Sequence, residues 1–276
     1  ASDVYKRQSL KYQIVGTEFI PVLFSFYKGR DKPCLYVQIR EFRMNHTILA
    51  LDTATEACSV ALLHQGNITF EDELSPRTHT QRILPMVDGL LKNANLSIKE
   101  VDYLAFGRGP GSFTGVRVGV GVAQGLALGA ELKVVPISNL TTMAEQAYQE
   151  LGATEVIALI DARMNEVYFS QLVRTENGWI EKVKEQVCSP ERALVQFQLD
   201  TDKITVVGTG WAAYPQFAEQ NLPLAISEIT LPSAKYMLAL AEQEIAKGNV
   251  KLVDEIEPVY FCLLYTSPSP RDRSLS

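Results

Sequence analysis

Two aspartates carry the first hint of chemistry in this sequence. Asp52 closes the apolar run 47–52 and Asp161 closes a second one, 156–161. A carboxylate at a strand tip can hold a divalent cation or orient an attacking water. It can equally cap the turn that follows, and the sequence leaves both readings open. His79, behind Pro76-Arg77-Thr78, could serve as a base or a ligand, or simply cap a helix start. Between the aspartates runs Phe106-Gly-Arg-Gly-Pro-Gly-Ser-Phe-Thr-Gly115-Val-Arg-Val-Gly119. Gly107, Gly109 and Gly111 permit positive φ and close backbone approach, and a helix starting after them would attract an anion. No Gly-Lys-Ser/Thr follows, so the run is incomplete as a phosphate loop and reads equally as a tight strand-to-helix turn. Cys58 and Cys188 fall in strand-like stretches and read as core. With Cys34 and Cys262 they show no paired or metal-like spacing, which points to a reducing compartment, the cytoplasm. No nucleophile elbow, His-Glu-x-x-His or Cys-x-x-Cys is present.

The elements that must position these residues follow from periodicity. Strands are expected at 47–52, 58–63 and 67–74, the last two as a hairpin around Gln65-Gly66-Asn67. Ile83, Leu84, Val87, Leu90 and Leu91 recur at helical spacing and predict a helix over 79–91. A strand at 101–106, a helix at 112–128, a strand at 134–137 and a helix at 140–151 follow. The pattern then restarts: strand 156–161, a hairpin of 166–173 and 179–187 around Asn177-Gly178, a short helix 190–197, strand 204–207, and helices 211–220 and 233–246. Strands run into Gly-x-Gly at Gly107–Gly109 and again at Gly208–Gly210. A repeat on this scale predicts two similar lobes, 44–151 and 152–261, facing each other. That is an α/β fold of duplicated ribonuclease-H-like lobes, the actin-like (ASKHA) architecture. A Rossmann-like sheet is the runner-up, disfavoured because a hairpin rather than a helix follows each Asp-tipped strand.

The helix at 112–128 holds an unusual number of glycines. Gly111, Gly115, Gly119, Ala123 and Ala127 recur every four residues, and Gly121, Gly125 and Gly129 make a second row. Each helical glycine costs roughly 1 kcal/mol relative to alanine, so close packing must compensate. The rows offer smooth stripes either to the protein's own sheet or to a partner helix.

The ends differ from the middle. Val4–Gln8 can be written GTG TAT AAG AGA CAG and Cys262–Thr266 TGT CTC TTA TAC ACA, and the reverse complement of the second overlaps the first over most of its length. Inverted ends of this kind resemble a library adaptor read through as protein. Residues 1–43 and 262–276 are therefore expected to be non-native, the alternative being genuine disordered tails. The whole chain carries 26 basic and 32 acidic side chains, a net charge of −6. These two segments hold 10 of the basic and 5 of the acidic groups, leaving 16 and 27, a net of −11, between 44 and 261. Such a domain is expected to bind nucleic acid poorly by itself. No run of residues reads as a membrane span; the nearest, 14–27, is short and contains Glu18.

Several long segments together resemble the TsaB (YeaZ) family: Ile48-Leu-Ala-Leu-Asp-Thr-Ala-Thr55, His79-Thr-Gln-Arg-Ile-Leu-Pro-Met86, the Gly107–Arg117 run, Ile160-Asp-Ala-Arg163 and Gly208-Thr-Gly-Trp211. The resemblance covers 44–261. It implies a non-catalytic subunit that partners TsaD, a paralogue of the same fold. With the ATPase TsaE, that partnership supports threonylcarbamoyl transfer to the adenosine beside the tRNA anticodon, tRNA being met only through the complex. TsaD works with a bound metal held in part by two histidines four apart; Asn139 and Met143 stand at those positions here and are no ligand pair. No metal and no cofactor of its own are expected, with ATP or ADP placed, if anywhere, at the TsaD interface. The expected docking residues are His79, Arg82, Gly111, Gly115, Arg117, Gly119 and Ala123, with a homodimer through the same face when TsaD is absent. Asp52, Thr53, Gly107, Gly109, Gly111 and Asp161 are the candidate cleft or nucleotide residues. The alternative is an actin-like small-molecule kinase or ATPase, for which Asp52-Thr-Ala-Thr55 is a weak phosphate hairpin without lysine.

Overall fold

The computed structural model describes residues 9–15, 18–24, 46–201 and 203–256. Contacts divide the chain into two units, 1–44 and 45–276. In the first, strands β1 (Ser9–Val15) and β2 (Glu18–Phe24) pair as an antiparallel hairpin. The rest of the segments expected to be read-through lies outside the described residues.

The second unit contains one arrangement twice. Strands β3 (Ile48–Asp52), β4 (Ala57–His64) and β5 (Asn67–Leu74) form an antiparallel meander. Helix α1 (His79–Asn93), strand β6 (Tyr103–Gly107), helix α2 (Phe113–Ala130), strand β7 (Lys133–Ile137) and helix α3 (Asn139–Leu151) follow. The second copy runs β8 (Glu155–Arg163), β9 (Glu166–Thr175), β10 (Gly178–Cys188), α4 (Pro190–Leu194), β11 (Ile204–Val207), α5 (Gly210–Ala213), α6 (Pro215–Ala218), β12 (Leu224–Ile226) and α7 (Ala234–Ala246). The sheet orders correspond strand for strand: β5-β4-β3-β6-β7 and β10-β9-β8-β11-β12. In each the last two strands run parallel to the central one. The chain therefore adopts the duplicated ribonuclease-H-like, actin-like fold.

Central strand β3 is buried at every residue. Helices cover both faces of its sheet, so it reads as an unbroken apolar run rather than an alternation. On one face α1 and α2 pack through Ile83, Met86, Val87, Leu90, Val116, Val120 and Ala123. Each such fully buried large apolar side chain contributes about 1.5–3 kcal/mol. On the other face lies α7, through Met237, Leu238 and Ala241. Helix α3, although it follows the first sheet in sequence, packs on the second through Leu140, Met143, Ala144 and Ala147. The two sheets thus exchange helices, and α3 meets α7 in the layer between them.

The helix expected over 211–220 is two short turns, α5 and α6. Pro215 lacks an amide to donate and clashes with a continuing helix, so it starts a new one. Strand β12 adds an element that periodicity does not suggest. By length and composition α2 could cross a bilayer, which the sequence reading overlooks, but its Gly115–Gly119–Ala123 side is buried in the first lobe.

Candidate functional site

The glycine-rich loop and the tip of β3 are built into each other. Ser112 caps α2, its Oγ accepting from the Gly115 amide, while its own amide donates to the Ala54 carbonyl at 2.6 Å. The Thr53 hydroxyl donates to the Gly115 carbonyl at 2.7 Å. The backbone lies so close that a Cβ on Gly111 would stand 2.2 Å from Ala54 O, one on Gly115 2.1 Å from Thr53 O, and one on Gly119 2.8 Å from Thr53 Oγ1. This corrects the expectation that the Gly111, Gly115, Gly119 and Ala123 row faces a partner: it packs inward, on the β3–β4 turn.

The second row faces out. A Cβ on Gly121, Gly125 or Gly129 would meet nothing within 4 Å. Beside it Leu128 is 70% exposed, and on neighbouring α1 Leu84 is 47% exposed. Arg117 is exposed on the same helix, its guanidinium 3.7 Å from the centre of the Phe113 ring. Arg82 pairs with Glu73 of β5 through Nε and Nη2, at 2.9 and 2.6 Å. His79 opens α1, with its Nε2 buried and lacking a hydrogen-bond partner among the described residues.

Asp52 is sealed rather than open to a cleft. Its Oδ1 accepts from Asn139 Nδ2 at 2.8 Å, and the Asn139 Oδ1 accepts from the Gly109 amide at 2.9 Å. Gly107 must be glycine here, because a Cβ would lie 1.9 Å from Asp52 Oδ1. Burial raises the Asp52 carboxyl to about 7, against the pull of Asn139 and the amides of Ala54 and Thr53. Asp161 does border the inter-lobe cavity, a space of about 670 Å³ also lined by Glu56, Ser112, Phe113, Arg163 and Thr209. Its Oδ1 accepts from Tyr214 Oη at 2.7 Å and from the Arg163 amide at 2.8 Å, and its Oδ2 lies 3.1 Å from Arg163 Nη1. The expectation that both aspartates face the cleft therefore holds for Asp161 alone.

The metal that the resemblance assigns to the TsaD paralogue would find no fitting ligands at Asn139 and Met143. Asn139 spends its amide on Asp52 and Gly109, and Met143 is fully buried in the core beside the second sheet. No group of three His, Cys, Asp or Glu among the described residues is placed to hold an ion. Cys58 and Cys188 are buried, and burial pushes their thiols up to about 12 and about 11, so they are poor nucleophiles. Sequence reasoning misses the Asp52–Asn139 pair: the partners are 87 positions apart, and only an asparagine just after a strand end hints at it.

Residues 67–262 match the family described as TsaD, tRNA N6-adenosine threonylcarbamoyltransferase. The tRNA threonylcarbamoyladenosine biosynthesis protein TsaB of Haemophilus influenzae is 58% identical over 224 residues, covering 78% of this chain and 93% of that protein. The Escherichia coli protein of the same name is 51% identical over 215 residues, covering 77% and 93%. Among solved structures, YeaZ from Pseudomonas aeruginosa is similar with a TM-score of 0.71 and 42% identity, over 78% of this chain and 99% of that one. A fold shared along nearly the whole length of these relatives, at such identity, leaves one assignment: the chain belongs to the TsaB family of tRNA threonylcarbamoyladenosine biosynthesis proteins.

Proposed function

We propose that this protein serves tRNA threonylcarbamoyladenosine formation as a non-catalytic subunit that docks and activates the TsaD paralogue. The docking face is the outer side of α2 with its neighbour α1, and the observation that carries this reading is the outward row Gly121, Gly125 and Gly129 flanked by Leu128 and Leu84. Glycines cost helix stability, and a solvated row returns nothing to the monomer. A partner helix brought close would return it. The side chains that an enzyme of this fold would use are engaged otherwise: Asn139 with Asp52, Asp161 with Tyr214 and Arg163. tRNA and the ATPase TsaE are met within the complex, in keeping with the acidic balance of 44–261. ATP or ADP belongs, in this reading, at the TsaD interface, and the same face serves a homodimer when TsaD is absent.

Gly125→Leu tests it. The site is open, so the variant should fold at least as well as the wild type, with helix propensity favouring it by up to about 1 kcal/mol. An added side chain at a tight contact costs about 1–3 kcal/mol, roughly a five- to hundredfold weaker complex with TsaD. Unchanged affinity in a titration of the purified partners would place the interface elsewhere.

A further inference from the structure

Lobe 2 reaches across to the glycine-rich loop through one buried carboxylate. Strand β10 pairs Val183 with Gln171 and Gln186 with Phe169, so Lys184 and Glu185 together oppose the single residue Ser170. Such a bulge re-aims a side chain out of the regular alternation. Here it turns Glu185, whose side chain is only 7% exposed, onto the other lobe. Glu185 Oε2 accepts from Arg108 Nη2 at 2.8 Å, and Oε1 accepts from the Ser138 hydroxyl. Both donors sit at a junction. Arg108 belongs to the loop between β6 and α2, and Ser138 caps α3 where the chain crosses from the first sheet to the second. Backbone bonds knit the two segments together: Arg108 N to Ile137 O at 2.9 Å and Asn139 N to Gly109 O at 3.0 Å.

An ion pair with one partner buried and the other partly so adds little net stability, because desolvation offsets the attraction. What it does well is penalise every arrangement in which the charges part. We infer that Glu185 is a positioning residue: from lobe 2 it holds the Arg108–Gly109 loop against the β7–α3 crossover and so fixes the first turn of α2. Its consequence for partner binding rests on the reading of α2 as the docking helix; the fixing of the loop does not.

Hydrogen exchange on the full chain separates the two. In Glu185→Ala, amides of the Gly107–Gly109 loop and the first turn of α2 should exchange about 10- to 100-fold faster, with β3 unchanged. Arg108→Met should give the same local pattern from the other end of the bond. Glu185→Gln, which keeps an oxygen for Ser138, should restore part of the protection. TsaD affinity should fall about 2- to 30-fold in Glu185→Ala, although Glu185 lies outside α1 and α2. Unchanged loop exchange overturns the inference, and so does faster exchange spread evenly through β3, which would make Glu185 a mere contributor to global stability. Faster loop exchange with unchanged TsaD affinity upholds the clasp and counts against the docking reading instead.

Discussion

The two lobes share one plan and use it differently. Each central strand carries an aspartate at or near its end, Asp52 closing β3 and Asp161 two residues before the end of β8, and each is flanked by a Gly-x-Gly turn that presses onto that strand or the turn after it. A Cβ on Gly107 would strike Asp52, and one on Gly208 would lie 2.0 Å from Leu159 O. After the turn they diverge. Lobe 1 continues into α2, an 18-residue helix with one smooth side inward and another outward. Lobe 2 continues into two four-residue turns broken at Pro215, and their aromatic residues are spent locally, Trp211 stacking on Phe217 at 5.3 Å. The aspartates diverge as well: Asp52 is sealed by Asn139, while Asp161 stays at the cavity wall. One duplicated chassis thus yields a lobe with a long helix turned outward and a lobe with two short turns in its place.

The largest expected effect tests the inward side of α2. Gly115→Leu drives a side chain into the Thr53 carbonyl, which belongs to backbone and cannot yield cheaply. Overpacking of this kind costs about 1–3 kcal/mol and more where backbone is struck. We expect a clear fall in the urea midpoint or outright loss of the folded state, whereas Gly125→Leu on the outer side folds. If Gly115→Leu melts like the wild type, the asymmetry between the two sides of α2 is broken.

That asymmetry shows what sequence can and cannot disclose. Four-residue spacing says which glycines share a helix face, and residues two apart lie roughly 200° around the helix, so the two rows must oppose each other. Spacing does not say which row meets the sheet; that is decided by Thr53 and Ala54, some sixty positions earlier. The duplication was legible because both hairpins carry turn residues, Gly66 at φ +78° and Gly178 at φ +109°, between apolar runs. The seal on Asp52 and the aim of Glu185 were not, since one depends on a pairing between residues 87 positions apart and the other on a bulge that no local residue pattern marks.

The next effect concerns the two aspartates. The unfolded chain releases the Asp52 proton near the ordinary carboxyl value of 3.8, whereas the folded protein holds it to about 7. Between those values the folded state binds the extra proton, so the contribution of Asp52 to stability falls as pH rises from about 4 to about 7 and is level outside that window. Asp52→Asn removes the titration. The stability of wild type minus variant should therefore decline by an amount on the order of a few kcal/mol across the window, read from urea unfolding at stepped pH. A difference that stays level from pH 4 to 7 would mean that water reaches the carboxylate and that the tip of lobe 1 is as open as that of lobe 2.

The smallest effect probes that open tip. Tyr214→Phe keeps the aromatic ring, which packs against the core on the far side of the second sheet, and deletes only the hydroxyl that donates to Asp161 at 2.7 Å. The same contact, after burial, holds the Tyr214 hydroxyl up at about 12, so it remains a donor throughout the working pH range. A hydrogen bond to a charged acceptor is worth about 1.5–3 kcal/mol when buried, but the Asp161 carboxylate borders a cavity that water can fill, and Arg163 stays beside it through its amide and guanidinium. Water can replace the lost donor, so the cost should fall to about 1 kcal/mol or less, a Tm decrease of roughly 2–4 °C for a domain of this size. A calorimetric scan reads it directly. A loss well above that range would show that Asp161 depends on Tyr214 as Asp52 depends on Asn139, and the two lobes would then differ in their helices but not in how they treat their strand-tip aspartates.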